Sequence, residues 1–415
     1  MDHTKGISLI KSKSETKSLI TGNETVEVLD LGIHGYADSF FSPEEEAKAS
    51  FGLPLICRLD TETGLIQTQV VTDPIERYSG VDYSYTSSNS ETAKQHWISF
   101  AEYVRRRRNT RELRILEVGS NDGYLLSQFS NEASQITGVD ASPYMSNLAT
   151  SQGVQTFTGI FGEDENLLED LFERSKSYDL IFANNVLNHS NNPVSFLKTV
   201  AKLLSKDGEF TFEVPYWLET IKSLHFDQIY HEHVTYLTVT SAEKLLEAAE
   251  LYISNVEVVD YHGGSLRISA THTKPTVMPN NILYHKSRED AEDLSNPLRY
   301  KIYFKEILKQ RESFMNKLDA ISLSKGEVIF GIGAAAKANT LLTFYGLNRE
   351  KMDFILDASR YKQGKITPFT RIPIYADSHL ESQLGGLGII LAWNIGDTIK
   401  KRLFEINPKI EVIGI

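Results

Sequence analysis

A chain of 415 residues, 41% hydrophobic and 24% charged, has the composition of a folded globular protein and exceeds what one hydrophobic core usually serves, so two or three domains are expected. Its net charge of -12 argues against a general nucleic-acid binder, and its single cysteine, Cys57, excludes an intrachain disulfide and a thiolate zinc cage. No apolar run is long enough to span a bilayer and no signal peptide is present, which points to a cytoplasmic protein without a membrane partner.

Residues 1–24 are rich in Lys, Ser and Thr and lack an apolar period, which predicts a mobile arm. A small leading domain is expected over 25–90. Residues 26–31 and 66–71 alternate as short strands, and Ser42-Pro43-Glu44-Glu45-Glu46 opens a short helix between them by its cap and first-turn acids. The domain ends in a hydroxyl-dense stretch of Tyr78, Tyr83, Ser84, Tyr85, Thr86, Ser87 and Ser88. That stretch reads either as a polar linker or as a pocket wall offering donors and stacking faces. A helix predicted over 91–108 carries Phe100 and Tyr103 and closes on Arg105, Arg106, Arg107 and Arg108, a solvated face or a local anion contact.

The stretch Arg114-Ile115-Leu116-Glu117-Val118-Gly119-Ser120-Asn121-Asp122-Gly123-Tyr124 is an apolar run that ends in an acid, turns on glycines and continues with helical periodicity. The next strand, 136–139, ends in Asp140, where nucleotide-binding sheets keep an acid for the ribose hydroxyls. Ser120, Asn121 and Asp122 fill the space between the glycines and Glu117 stands beside them, so two acids would repel a diphosphate. They suit S-adenosylmethionine, which carries a sulfonium and an ammonium but no phosphate. The alternative is a structural turn that merely needs glycine.

Strand signals at 115–118, 136–139, 155–157, 180–183 and 209–214 alternate with helices starting near Tyr124, Tyr144, Asn166 and Pro193, which predicts a parallel sheet covered on both faces. Segments 253–260 and 265–271, joined at His262-Gly263-Gly264, would close it as a hairpin. This domain is expected over 91–275. A second α/β domain follows over 276–415, beginning with a charged helical stretch. There 328–337 repeats the strand, glycine turn and helix, and 354–357, 388–391 and 412–413 add strands. Its turn, from Gly331 to Lys337, reads as a structural glycine turn or as a phosphate cradle.

Chemistry in such sheets lies at the carboxyl ends of the strands. The fourth strand runs into Asn184-Asn185-Val186-Leu187-Asn188-His189, and the fifth into Glu213-Val214-Pro215-Tyr216, followed by Asp227-Gln228-Ile229-Tyr230-His231-Glu232-His233. Histidines beside a carboxylate and a tyrosine can form an acid/base site, a structural hydrogen-bond cluster or a metal site. The defined zinc spacings, such as H-E-x-x-H, are absent.

Together, Glu117-Val-Gly-Ser-Asn-Asp-Gly123, Glu213-Val-Pro-Tyr216, Ile229-Tyr-His-Glu-His233, His262-Gly-Gly-Ser-Leu-Arg267, Gly333-Ala-Ala-Ala-Lys-Ala-Asn339, Tyr361-Lys-Gln-Gly364 and Ala392-Trp-Asn394 resemble the sugar C-methyltransferases that make branched deoxysugars. The resemblance runs from about residue 26 to the C-terminus. It implies a Rossmann-like methyltransferase sheet flanked by a small leading domain and a C-terminal Rossmann-like α/β domain. The implied enzyme moves the methyl of S-adenosylmethionine to C-3 of a nucleotide-linked 4-keto-6-deoxysugar; whether it is a monomer or dimer is left open. By position, the cofactor contacts would be Glu117, Gly119, Ser120, Asn121, Gly123, Asp140, Asn184 and Asn185. His233, Tyr230, Glu232, His189 and one of Tyr83 or Tyr85 would surround the sugar. Tyr216, His262, Arg267, Lys337, Asn339, Tyr361 and Lys362 would bind the rest of the substrate.

The family's leading domain holds zinc through four cysteines, and none stands at those positions here. The second pair falls on Asp60 and Thr63 and the first on the polar stretch before Val26. The domain is therefore expected to fold without metal, on Val28, Leu29, Leu31, Phe40, Phe41, Leu53 and Leu65. C-methylation needs a base near C-3 and donors for the enolate oxygen at C-4. His233 is the expected base, because its free pKa lies near working pH whereas that of Tyr230 begins near about 10. Glu232 would orient or polarise a neighbour, and His189 or a tyrosine would hold the enolate. O- or N-methylation, a non-catalytic sugar-nucleotide binding protein and a dehydrogenase are the alternatives.

Overall fold

A computed structural model describes residues 11–78, 86–88, 90–322, 324–392 and 396–414. Its centre is a seven-stranded sheet in the order Tyr252–Val259, Ser265–Thr271, Leu204–Pro215, Tyr178–Asn184, Arg114–Val118, Gln135–Asp140 and Thr156–Thr158. The strands from Leu204–Pro215 to Thr156–Thr158 are parallel, and Ser265–Thr271 runs antiparallel to both of its neighbours. Parallel strands need crossovers that cover both faces, and Ile115, Leu116, Leu180, Ile181 and Phe182 are accordingly buried. The register aligns Glu117 with Gly138 and Glu213 with Asn184, bringing the strand ends to one edge.

Helix Glu91–Arg107 starts where the Ser90 hydroxyl accepts the N–H of Ala93, and buries Trp97, Phe100, Ala101 and Val104 at helical spacing. Three of the four arginines at its end make local anion contacts, Arg106 with Glu102 among them. Arg105 pairs with Glu132, Arg107 with Glu209, and Arg108 donates to the Asp207 carbonyl.

The leading domain is a four-stranded sheet in the order Thr235–Tyr236, Ile66–Thr68, Leu53–Leu59 and Val26–His34. Its edge strand comes from the loop that follows His233, so the two domains share a sheet. The expected mobile arm is corrected from Lys11 onward. Ser12–Ser14 pairs with Val70–Thr72, and Lys17 bridges to Glu24. A polar strand without apolar period is held here by main-chain bonds, which the side-chain pattern does not reveal. The expected core also shifts: Leu29, Leu31 and Leu65 are buried, joined by Leu55, Cys57, Leu59 and Ile66, whereas Phe41 and Leu53 are half-buried.

The positions that the resemblance gives to cysteine pairs are occupied by a hydrogen-bonded knot. Asp60 Oδ2 accepts from Ser18 Oγ at 2.6 Å, Thr63 Oγ1 at 2.8 Å and Thr21 Oγ1 at 3.3 Å, and Oδ1 accepts the N–H of Glu62 at 2.9 Å. Burial pushes the Asp60 carboxyl up, but the bonds from Ser18 and Thr63 outweigh it and hold the group below the usual range.

The C-terminal domain is a five-stranded parallel sheet in the order Ile374–Tyr375, Phe354–Leu356, Val328–Ile332, Gly386–Ile390 and Ile410–Gly414. Its glycine turn is closed by packing. Gly333 has φ +89°, and a Cβ there would lie 2.6 Å from Ala392 Cβ. The N–H of Ala334, which a phosphate would need, donates instead to Asp357 Oδ2 at 2.7 Å. Helix Ala336–Tyr345 then grips both other domains, through Asn339 Nδ2 to the Ala37 carbonyl at 2.5 Å and Thr340 Oγ1 to the Ile229 carbonyl at 2.8 Å.

Candidate active site

The loop after Arg114–Val118 is built around close approaches. Gly119 has φ +71°, and a Cβ there would lie 2.2 Å from Val186 Cγ2, so no larger residue fits. Asn121 also takes a left-handed conformation, at φ +52°. Its N–H donates to Asp140 Oδ2 at 2.9 Å, and its Oδ1 accepts the N–H of Ser87 at 2.9 Å. Ser88 donates from N and Oγ to Asp122 Oδ2, so residues 87 and 88 are tied to the loop.

Glu117, Gly119, Asn121, Asp140, Asn184, Asn185, His189 and His262 line one cavity, together with Trp97, Tyr78, Ile160 and Phe161. Ser120 and Gly123 lie outside this lining; the Ser120 hydroxyl is buried without a partner, and Gly123 opens helix Tyr124–Ser127. Asp140 accepts the N–H groups of Asn121 and Ser142, and burial still pushes its carboxyl up to about 6. Glu117 is raised further by burial and by its neighbours Asp122 and Asp140, and its Oε2 is buried with no partner. Both amide atoms of Asn184 are buried and unpaired as well. Among the described residues no Lys or Arg lines the cavity. An orphaned acid and an orphaned amide beside a second buried acid, with no cation among the lining residues described, fit a ligand that brings its own positive charge and hydroxyls, as S-adenosylmethionine does, and do not fit a diphosphate.

Beside this cavity lies a hydrogen-bonded tyrosine–histidine pair. His233 Nδ1 is 2.9 Å from the Gln228 carbonyl, which can only accept, so Nδ1 carries the proton and Nε2 is bare. Tyr230 Oη stands 2.6 Å from Nε2 and donates to it. Burial lowers His233 to about 4 against the Gln228 bond, which keeps it neutral. His189 is also held well below its ordinary range, by burial and then by His233 and Arg77. Its ring meets that of His233 edge-on at 4.8 Å, and its Nδ1 is 3.3 Å from Tyr78 Oη. Glu232 accepts the N–H of Asp38 at 2.8 Å on Oε1, while Oε2 is buried without a partner, and burial raises its carboxyl to about 7.

Arg77, Tyr78 and Asp38 are functional neighbours that the sequence reading missed or left unassigned. Arg77 clamps the leading domain onto the His189 loop, donating to Thr72 Oγ1, the Thr72 and His189 carbonyls and Asn191 Oδ1. Tyr78 belongs to the hydroxyl-dense stretch, the only sequence signal for it. Tyr83, Tyr85, Trp393 and Asn394 lie outside the described residues.

Other expected site residues separate into two groups. Tyr216 is buried and donates to Glu289 Oε1 at 2.6 Å, and Arg267 pairs with Glu213 and lies over the rings of Phe100 and Tyr103. Both expectations of substrate contact are corrected, because these polar groups are consumed by buried carboxylates. His231 also turns away from His233, toward the Pro54 carbonyl at 3.2 Å, which removes the convergence a metal site needs. The described residues contain no group of three or more His, Cys, Asp or Glu that could hold a metal ion. Lys337 is buried, which lowers it to about 8 against Asp227, and Asn339 is bound to Ala37. Lys362 donates to the Ala334 carbonyl, and Tyr361 Oη meets Tyr144 Oη at 3.3 Å. No helix among the described residues is long and apolar enough to cross a membrane.

Residues 90–256 match the family model for a methyltransferase domain, and 260–409 match that for a C-methyltransferase C-terminal domain. Along 91% of its length the chain is similar to C-methyltransferase NovU of Streptomyces niveus, with 26% identity over 381 residues that cover 89% of that protein. A shorter likeness, 31% identity over 130 residues, joins 29% of this chain to 41% of a tRNA U34 carboxymethyltransferase of Sulfurimonas denitrificans. The solved magnesium protoporphyrin IX methyltransferase of Synechocystis with bound SAH aligns over 43% of this chain and 83% of its own, at 14% identity and TM-score 0.35, too distant to carry an argument. With both parts of the chain matched in order and the cavity suited to its cofactor, the protein is an S-adenosylmethionine-dependent C-methyltransferase.

Proposed function

We propose that the enzyme methylates C-3 of a nucleotide-linked 4-keto-6-deoxysugar, by way of an enolate, in branched deoxysugar biosynthesis. The observation that carries this reading is the Tyr230–His233 pair beside the cofactor cavity, since a carbon nucleophile requires removal of a C–H proton. His233 is 4% exposed and its bare nitrogen already faces Tyr230, which is half-buried. The expected role of His233 as the direct base therefore becomes a relay. Tyr230 oxygen takes the C-3 proton while its own proton passes to His233 Nε2, and the C–H electron pair moves into the C-3 to C-4 bond as the C-4 oxygen becomes an oxyanion. The Gln228 carbonyl supports the imidazolium so formed.

Glu232 is suited to the oxyanion. A carboxyl poised near 7 retains a proton it can donate from Oε2, and neutral His189 is a second donor. When bound, S-adenosylmethionine supplies the methyl as an electrophile on sulfur. At the far end of the substrate, Lys337 is the favoured phosphate contact, because the nearby glycine turn has given the Ala334 N–H to Asp357.

The test follows C-3 proton exchange in deuterium oxide by NMR and the methylated product by mass spectrometry. Tyr230→Phe and His233→Asn should each lose both exchange and methylation by on the order of a hundred- to ten-thousand-fold. Normal exchange in both variants, or turnover of a substrate without a ketone beside the methylated carbon, would overturn the reading.

A further inference from the structure

We propose that Trp97 binds the α-carboxylate at the methionine end of the cofactor through its indole N–H. Its Nε1 is buried and has no hydrogen-bond partner among the described residues, although the side chain lines the same cavity as Glu117, Gly119 and Asn121. Folded proteins rarely leave such a donor unpaired, and where they do a ligand often completes it.

Charge narrows what that ligand group is. The methionine end carries an ammonium and a carboxylate. Glu117, with its orphaned Oε2, matches the ammonium; the cavity's other acids, Asp140 and Glu163, add further negative charge. Because no Lys or Arg lines the cavity among the described residues, the carboxylate must be met by neutral donors. An indole donates and cannot accept, so its partner is an acceptor. The ribose belongs with Asp140, and the apolar Ile160 and Phe161 suit the adenine, which leaves the carboxylate for Trp97.

The indole is also held in place before any ligand arrives. Adjacent His96 donates from Nε2 to the buried Glu213 at 2.7 Å and stacks on Tyr261 at 3.8 Å, and Trp97 meets Tyr261 edge-on at 5.9 Å. Ser87 and Ser88 fasten the segment before the helix to Asn121 and Asp122. A donor fixed in this way loses little freedom on binding.

Calorimetry on the full-length protein tests the assignment with S-adenosylmethionine and its decarboxylated form. Trp97→Phe keeps an aromatic ring and removes the N–H. It should weaken S-adenosylmethionine by roughly 10- to 100-fold, as loss of a bond to a charged group does, and leave the decarboxylated ligand unchanged. Equal losses for both ligands, or none for either, would overturn it. In the wild-type protein, the Trp97 indole proton resonance should move downfield with S-adenosylmethionine and stay in place with the decarboxylated ligand. Indifference to the carboxylate there sinks the proposal even if the variant fails to fold.

Discussion

Two glycine turns in this molecule have the same local construction. After Arg114–Val118 the acid Asp140 accepts N–H groups from Asn121 and Ser142; after Val328–Ile332 the acid Asp357 accepts them from Ala334 and Ser359. Yet one turn faces a cavity and the other is filled. Around the first, Glu117, Asn184 and Trp97 keep buried polar atoms without partners. Around the second, Ala392 occupies the space beside Gly333, and Lys362 covers the Ala334 carbonyl. A strand, a glycine turn and a distant acid therefore specify a fold unit, and the polar groups left unsatisfied specify which unit binds.

Removing each acid breaks the comparison most directly. Asp140→Ala should weaken S-adenosylmethionine by roughly 1.5–3 kcal/mol, the value of hydrogen bonds to a charged group. Asp357→Ala should lower stability and leave cofactor affinity within about twofold, because its carboxylate serves only the turn. Calorimetry and thermal melts separate the two. A matching loss of affinity in Asp357→Ala would mean that both turns bind the cofactor.

This contrast also marks what the sequence could reveal. Buried parallel strands stand out as apolar runs, and the loop acids Glu117 and Asp140 stand at fixed spacing from glycines. Tyr216 and Arg267 lie in equally distinctive motifs but are consumed by Glu289 and Glu213, partners 73 and 54 residues away. Arg77, on the short helix Pro74–Tyr78, and Asp38, in a turn, reach the site from another domain and carry no local pattern. Nor does side-chain periodicity expose the pairing of residues 12–14 with 70–72.

A smaller effect is expected at the knot in the leading domain, which resembles the filled turn: its polar groups are satisfied, so it should act on stability alone. Asp60→Ala leaves three hydroxyls without their shared acceptor and should cost about 2 kcal/mol at pH 7. The Asp60 carboxyl is held below its unfolded value, so its contribution is present above about pH 4 and disappears as pH falls through the folded pKa. Denaturant titrations at pH 7 and below pH 4 should therefore show the gap between wild type and variant narrowing. A constant gap would mean that the charge of Asp60 is not what stabilises the knot.

Glu232 gives the finest distinction, because it is half satisfied: Asp38 occupies one oxygen and the other awaits a partner. If it acts as a protonated donor, its raised pKa near 7 sets a falling limb of activity on the alkaline side. Glu232→Gln keeps a donor at all pH values, so it should retain activity within about tenfold at pH 6.5 and lose that limb. Stability supplies an independent sign. The folded carboxyl binds a proton more tightly than the unfolded one, so wild type loses stability as pH rises from about 4.5 through 7, whereas the glutamine variant does not. The variant should accordingly gain on wild type across that window in denaturant titrations. If the alkaline limb survives unchanged in Glu232→Gln while the stability gap opens as expected, the carboxyl titrates as described but another group donates to the oxyanion, and neutral His189 becomes the donor to test.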